Sequence, residues 1–167
     1  MPEKCSIKVN LIFGVRRYSQ DARSFVQDMV LNNCVQTKFE FPSDRKCRKD
    51  IVDRIFNEVS GSRHPVALNN EELYLIIDEA VTNAMEHGNH WDAGKHVMAG
   101  VDFKSDRVYI TISDEGPGFN IVQMKNAMKN RSLMSKRGRG IGIISHLCDI
   151  SWNDLGNRVC LSIKTAD

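Results

Sequence analysis

No stretch of this chain stays apolar for long. The longest run near the start, Leu11-Ile12-Phe13, is flanked by Asn10 and Gly14. That is too short for a signal-peptide core, and nothing approaches the roughly 20 apolar residues of a membrane span. An excess of charge is missing too: 23 basic residues stand against 21 acidic ones, a net charge of +2. This removes the electrostatic case for nucleic acid or an anionic membrane as the main partner. The five cysteines (Cys5, Cys34, Cys47, Cys148, Cys160) are scattered, odd in number and form no C-x-x-C pair. They read as reduced, mostly structural thiols of a cytoplasmic protein. Internal repeats and low-complexity segments are also lacking, which sets aside repeat arrays and low-complexity tails.

What remains is an ordinary globular composition, 41% apolar and 26% charged over 167 residues, with room for one domain and a short appendage. Residues 5 to 13 alternate, with Cys5, Ile7, Val9, Leu11 and Phe13 on one side, as in a half-buried strand. Ser19 suits the N-cap of a helix carrying Ala22, Phe25, Val26, Met29 and Val30. A second alternating strand, Lys38 to Phe41, is stopped by Pro42, and Ser43 can cap a helix through Ile51, Ile55, Phe56 and Val59. A longer helix is expected from about Glu71 to His87, ended by Gly88. Strands follow at Val97 to Phe103 and Val108 to Ile112. Next come a polar, Met-rich segment from Phe119 to Arg139, a helix from about Gly140 to Leu147, and a closing hairpin around Leu155-Gly156-Asn157. With helices early and strands clustered late as hairpins, the order predicts an α+β two-layer fold. It would have a mixed, mostly antiparallel sheet and helices on one face.

On the helix from Glu71, the positions Leu73, Ile76, Ile77, Ala80 and Ala84 form the core stripe, and Glu79, Asn83 and His87 form a second stripe beside it. An Asn oxygen is a hard ligand suited to Mg²⁺, and a Glu one turn away can accept a proton from an attacking nucleophile. The same spacing also fits a solvated helix face. Asp114-Glu115-Gly116-Pro117-Gly118 directly follows a strand. Its glycines allow a sharp turn and close approach to a ligand, and Asp114 can accept from an exocyclic amine; a plain hairpin turn would look alike. Gly138-Arg139-Gly140-Ile141-Gly142 precedes a helix, where backbone N–H groups make an anion site. It lacks the G-K-[ST] ending of a Walker A loop and the spacing of a Rossmann fingerprint. Arg131, Lys136, Arg137 and Arg139 can reach phosphates or a protein partner, or simply be solvated.

Taken in order, Glu79-Ala80-Val81-Thr82-Asn83-Ala84, His87-Gly88-Asn89, Asp114-Glu115-Gly116-Pro117-Gly118-Phe119 and Arg139-Gly140-Ile141-Gly142 resemble the N, G1 and G2 boxes of the histidine-kinase-like (Bergerat-fold) ATPase family. The nearest subgroup is that of the anti-sigma factors that are serine protein kinases. The resemblance covers residues 38–167 and leaves 1–37 as an N-terminal β-α extension. It implies ATP and Mg²⁺ as cofactors, Glu79 as general base and Asn83 as Mg²⁺ ligand. It further implies Asp114 as reader of the adenine amine, and Gly116, Gly118, Gly138, Arg139, Gly140, Ile141 and Gly142 around the phosphates and lid. His87 would line the site or simply pack at the helix end. The family often has Gly-Thr near its last strand, where this chain has Gly156-Asn157-Arg158.

By the same resemblance, the expected function is a regulatory serine/threonine kinase acting in transcription regulation. It would phosphorylate a STAS-type antagonist and sequester a sigma factor or similar client. The alternative is an ATP-dependent binding switch without phosphoryl transfer, for which Glu79 would have no use. A sensor histidine kinase ranks lower, since the only histidine before the N box is His64, next to Pro65, and no long helical hairpin precedes it. A metal enzyme built on His87, His90 and His96 ranks lower still, because no carboxylate or Cys pair completes a ligand set. Partners are expected to be proteins, with no nucleic acid and no membrane, and the apolar faces of residues 5–30 are compatible with a homodimer.

Overall fold

The computed structural model describes residues 8–12, 36–122 and 139–166. The helix expected within 19–30, most of the segment 119–139, and with them Gly138, Arg131, Lys136 and Arg137, lie outside the described residues, as does the Arg139 side chain.

The strands are β1 (Lys8–Ile12), β2 (Gln36–Pro42), β3 (His96–Phe103), β4 (Arg107–Ser113), β5 (Asp149–Trp152) and β6 (Arg158–Lys164). They form a six-stranded sheet in the order β1-β2-β3-β4-β6-β5, and every one of these pairings is antiparallel. Register follows the alternation of apolar residues. Phe39 pairs with Ala99, Ala99 with Ile112, Ile112 with Val159, and Val159 with Trp152, so one apolar row crosses the sheet. A slip of one residue would turn that row to the opposite face. β1 adds to the edge at β2, with Lys8 opposite Glu40, so this part of the expected extension is continuous with the sheet.

Among the described residues, three α-helices cover the apolar face: α1 (Arg48–Ser60), α2 (Asn70–Thr82) and α3 (Arg139–Leu147). α1 buries Ile51, Val52, Ile55 and Val59, and α2 buries Leu73, Ile76, Ile77, Ala80 and Val81. These are the apolar positions at helical spacing, and each fully buried Ile, Leu or Val stabilises the fold by about 1.5–3 kcal/mol. α2 packs between α1 and α3 and so lies in the middle of the helical layer. The result is the α+β two-layer arrangement expected from the order of elements.

Local chemistry sets the helix starts. Asn69 and Glu72 form a reciprocal capping box, with Glu72 N donating to Asn69 Oδ1 at 2.9 Å and Asn69 N to Glu72 Oε2 at 3.0 Å. Before α1 the cap is Asp44, which accepts from Lys46 N at 2.9 Å ahead of a 3₁₀ turn, Arg45–Cys47. The expected cap, Ser43, is instead buried, and its N–H is donated to Lys95 O. Arg48 ties α1 to α2 through Asp78 and, at 2.7 Å, Thr82 Oγ1.

Two further expectations need correction. The long helix does not run regularly to His87: α2 ends at Thr82 and continues as a π-helical turn, Asn83–Gly88. Cys47 is disulfide-bonded, with its partner outside the described residues, so the reduced-thiol reading fails there; its burial at the foot of α1 keeps it inside the packed structure. Cys148 and Cys160 are free. Burial pushes the Cys148 thiol up to about 11 and raises that of Cys160, so neither is a thiolate nucleophile at neutral pH. Among the described residues, no helix is long and apolar enough to cross a membrane.

Candidate functional site

α2 carries the first part of the site. Glu79 and Asn83 are both partly buried at its end, and the Asn83 N–H is shared between the Glu79 and Ala80 carbonyls. The π turn then shifts the helical register by one residue. Asn89 N reaches back to Ala84 O at 2.9 Å and Trp91 N to Met85 O at 2.7 Å, while Met85 is wholly buried. His87 therefore does not continue the Glu79–Asn83 stripe and is exposed. Wide turns of this type tend to sit at functional sites. The exit from this one is strained, because His90 and Trp91 both hold φ near 58°, a conformation that costs non-glycine residues on the order of 1–3 kcal/mol.

Where the turn ends, Gly88 meets Asp114. A Cβ on Gly88 would stand 2.2 Å from Asp114 Cγ, and one on Gly116 would stand 2.3 Å from Gly88 O. Backbone and carboxylate thus approach as closely as glycine permits. The carboxylate accepts from Gly116 N at 2.8 Å. Burial raises the Asp114 carboxyl above its usual 3.8, opposed by that N–H and by the charge of Lys95. A half-buried carboxylate at a strand end, held on one side by backbone, leaves acceptor capacity for a donor on a ligand.

At the other end of the helix segment, Gly140 in the first turn of α3 lies against Glu79: a Cβ there would be 2.0 Å from Glu79 Oε2. Along the helix and its π turn the order is therefore Glu79, against the start of α3, then Asn83 one turn on, then Gly88, against Asp114 and Gly116. The structure thus pairs the second glycine loop with Glu79 and the first with Gly88, at the two ends of the segment 79–88. Ile141 and Gly142 follow Gly140 into α3, with Gly142 buried and its carbonyl accepting from Ser145 Oγ.

Gly118 serves a different contact. It has φ 75°, and a Cβ there would stand 1.9 Å from Leu155 O, while Gly156, at φ 80°, sits against the backbone of Phe119. The loop after β4 and the β5–β6 hairpin are interlocked by two glycines that no other residue could replace without moving backbone. Phe119 N donates to Leu155 O at 3.2 Å, and its ring meets Trp152 edge-on at 6.1 Å.

Sequence reasoning passed over two residues here. Asn89, fully buried, accepts from Glu115 N at 2.9 Å and donates to His96 O at 2.9 Å. Asn157 donates from Nδ2 to Asp114 O at 3.3 Å, and its own carbonyl accepts from Asp114 N at 3.0 Å. The signals were present: Asn89 directly follows His87-Gly88, and Asn157 stands where the resembling family often has threonine.

A cavity of about 550 Å³ lies between Phe119, Asn120, Ile121, Val122 and the β5 side, Ile150, Ser151, Trp152 and Asp154. It shares no residue with the contacts around Glu79, Asn83 and Asp114. Among the described residues no cluster of three or more His, Cys, Asp or Glu side chains could hold a metal by itself. A cation sharing ligands with phosphates needs only one or two protein oxygens, and Asn83 offers one.

Comparison with known proteins identifies the family of the domain. Residues 46–163 match the histidine kinase-like ATPase domain. The chain belongs to that family. It is an ATP-binding domain of the histidine-kinase-like type, and Mg²⁺ accompanies ATP in such domains generally. It is similar to the sensor protein VraS of Staphylococcus aureus (strain COL), 26% identical over 112 residues, which are 67% of this chain and 30% of that protein. The VraS proteins of Staphylococcus haemolyticus (strain JCSC1435) and Staphylococcus epidermidis (strain ATCC 35984) match over the same length at 24% and 25%. The match thus spans about a third of the length of these relatives.

Proposed function

We propose that this ATPase-family domain is a regulatory protein kinase that transfers the γ-phosphoryl group of Mg-ATP to a serine or threonine of a partner. The observation that carries the reading is the position of the Glu79 carboxylate: one turn from Asn83 and against the backbone of Gly140, at the glycine-rich start of α3.

The residues fit Mg-ATP. The close approaches at Gly88, Gly116 and Gly140 leave no room for side chains, Asn83 offers a hard amide oxygen, and Asp114 offers an acceptor to the adenine amine. Asn83 would hold Mg²⁺, which neutralises phosphate charge when bound. The N-terminus of α3 favours negative charge through its free N–H groups and dipole. Glu79 accepts the proton of the attacking hydroxyl as its oxygen bonds to phosphorus and ADP leaves with the electrons of the broken P–O bond.

The partners of this reading are a STAS-type antagonist as substrate and a sigma factor or similar client, in the cytoplasm. Glu79 supports it over a binding switch without transfer, which needs no base. The similarity to sensor proteins favours a second reading, an ATP-binding part of a sensor-type kinase whose acceptor is histidine. Labelled ATP with candidate STAS-type proteins separates these. Acid-stable label on a partner serine supports the kinase reading. Acid-labile label on histidine supports the second, and client binding without any transfer supports the switch.

A further inference from the structure

The backbone around the Asp114 carboxylate is held by two asparagines: the Asn89 side chain bonds the following residue, Glu115, and the Asn157 side chain bonds the Asp114 carbonyl. On one flank, Asn89 is wholly inside the protein, its Oδ1 taking the N–H of Glu115 and its Nδ2 donating to His96 O, each at 2.9 Å. A third bond closes the ring, from His96 N to Glu115 Oε2 at 2.5 Å. The π turn, the first residue of β3 and the residue after Asp114 are thereby held as one unit. On the other flank, Asn157 and Asp114 exchange two bonds, Asp114 N to Asn157 O at 3.0 Å and Asn157 Nδ2 to Asp114 O at 3.3 Å. Asn157 Oδ1 is taken by Asn153 Nδ2 at 2.8 Å, and Asn153 Oδ1 in turn accepts from Gly156 N and Arg158 N. The hairpin end is thus a relay of amides that stops at the Asp114 backbone.

We infer that Asn89 and Asn157 are positioning residues for base recognition: they fix Asp114 against Gly88, and so set a preference for purines with an amine rather than a carbonyl at C6. The inference rests on the reading of the site as one that binds adenine nucleotides. It goes beyond that reading in assigning the preference to two residues that bond the backbone around Asp114. A carboxylate discriminates between an amine and a carbonyl only if its free oxygen is held in place, since a mobile one turns away from the carbonyl at little cost. The close approach at Gly88 shows how little latitude there is: a Cβ there would stand 2.4 Å and 2.6 Å from the two Asp114 oxygens.

Calorimetric titration of the full chain with Mg-ADP and with Mg-IDP, whose base carries a carbonyl in place of the amine, tests this. The wild type should favour ADP by at least tenfold. Asn157→Ala should lose most of that ratio through weaker ADP binding, with IDP affinity nearly unchanged. Asn89→Ala, which removes both side-chain bonds, should do the same, and Asn89→Ser, a small neutral side chain at the same place, serves if Asn89→Ala does not fold. If both variants are folded and keep the wild-type ADP/IDP ratio, or weaken both nucleotides equally, the asparagines are merely structural and the inference is overturned. A wild type that binds ADP and IDP equally would overturn the role of Asp114 itself, and the inference with it.

Discussion

The carboxylate of Glu79 lies so close to Gly140 that a Cβ on Gly140 would stand 2.0 Å from Oε2. The contact joins the proposed general base on α2 to the start of α3, so under the kinase reading a side chain at 140 would matter to chemistry before it matters to folding. The opposing atom is the far end of a flexible chain, so the cheapest response to a methyl group is for Glu79 to swing away.

Gly140→Ala should therefore melt at or slightly above the wild-type temperature, since alanine gains up to about 1 kcal/mol over glycine within a helix. Phosphoryl transfer should fall sharply because the carboxylate is displaced. Melting curves and a labelled-transfer assay check the pair of outcomes. Wild-type transfer in this variant would deny the contact its importance.

Glu79→Ala separates catalysis from binding. A base acts when the hydroxyl loses its proton, so transfer should drop by roughly a hundredfold to ten-thousandfold. Mg-ATP affinity should hold or rise slightly, because a carboxylate repels phosphates in the ground state. A rate equal to the wild type would leave Glu79 without a catalytic role.

For Asp114 the linkage runs towards instability at higher pH. Its folded pKa is raised by burial, so between the unfolded value near 3.8 and the folded one the native state holds more protons than the unfolded state. Stability then falls as pH rises through that window. Asp114→Asn keeps an acceptor for Gly116 N and removes the charge. It should melt higher than the wild type at pH 7, with the gap closing as pH approaches 4, while adenine nucleotides bind more weakly. A gap independent of pH would contradict the burial cost.

Removing residues 1–35 takes away β1, bares the edge of β2 along its whole paired length, Gln36 to Glu40, and deletes Cys5 and Cys34, so a Cys47→Ser variant of the full chain serves as the control for the lost disulfide. Open edges recruit other chains. The truncated protein should show larger species in light scattering and a lower melting temperature than the full chain. Identical behaviour would mean the edge strand is dispensable.

Much of this was legible in the residues. The stripe Leu73, Ile76, Ile77, Ala80 gave α2, the alternation in β3 and β4 gave paired strands, and the spacing of the boxes pointed to Glu79, Asn83, Asp114 and Gly140. Sheet order was not: nothing local says that β6 inserts between β4 and β5. The π turn was hidden because Asn83-Ala84-Met85-Glu86-His87 reads as uninterrupted helix. The wider turn goes with the burial of Met85 and Asn89, which no local spacing announces. Asn89 and Asn157 were missed for a related reason, since their partners are backbone groups of distant segments, invisible to any spacing rule.

The most direct measurement of the account is the calorimetric affinity of Mg-ATP for the wild type and for Asn83→Ala. Asn83 sits between Glu79 and the Gly88–Asp114 contact, and its amide oxygen is the ligand assigned to Mg²⁺. The variant should fold normally, since the residue is only partly buried at a helix end, and should bind Mg-ATP at least tenfold more weakly. Equal affinity in the two proteins would remove Asn83 from the site and contradict the placement of Mg-ATP there.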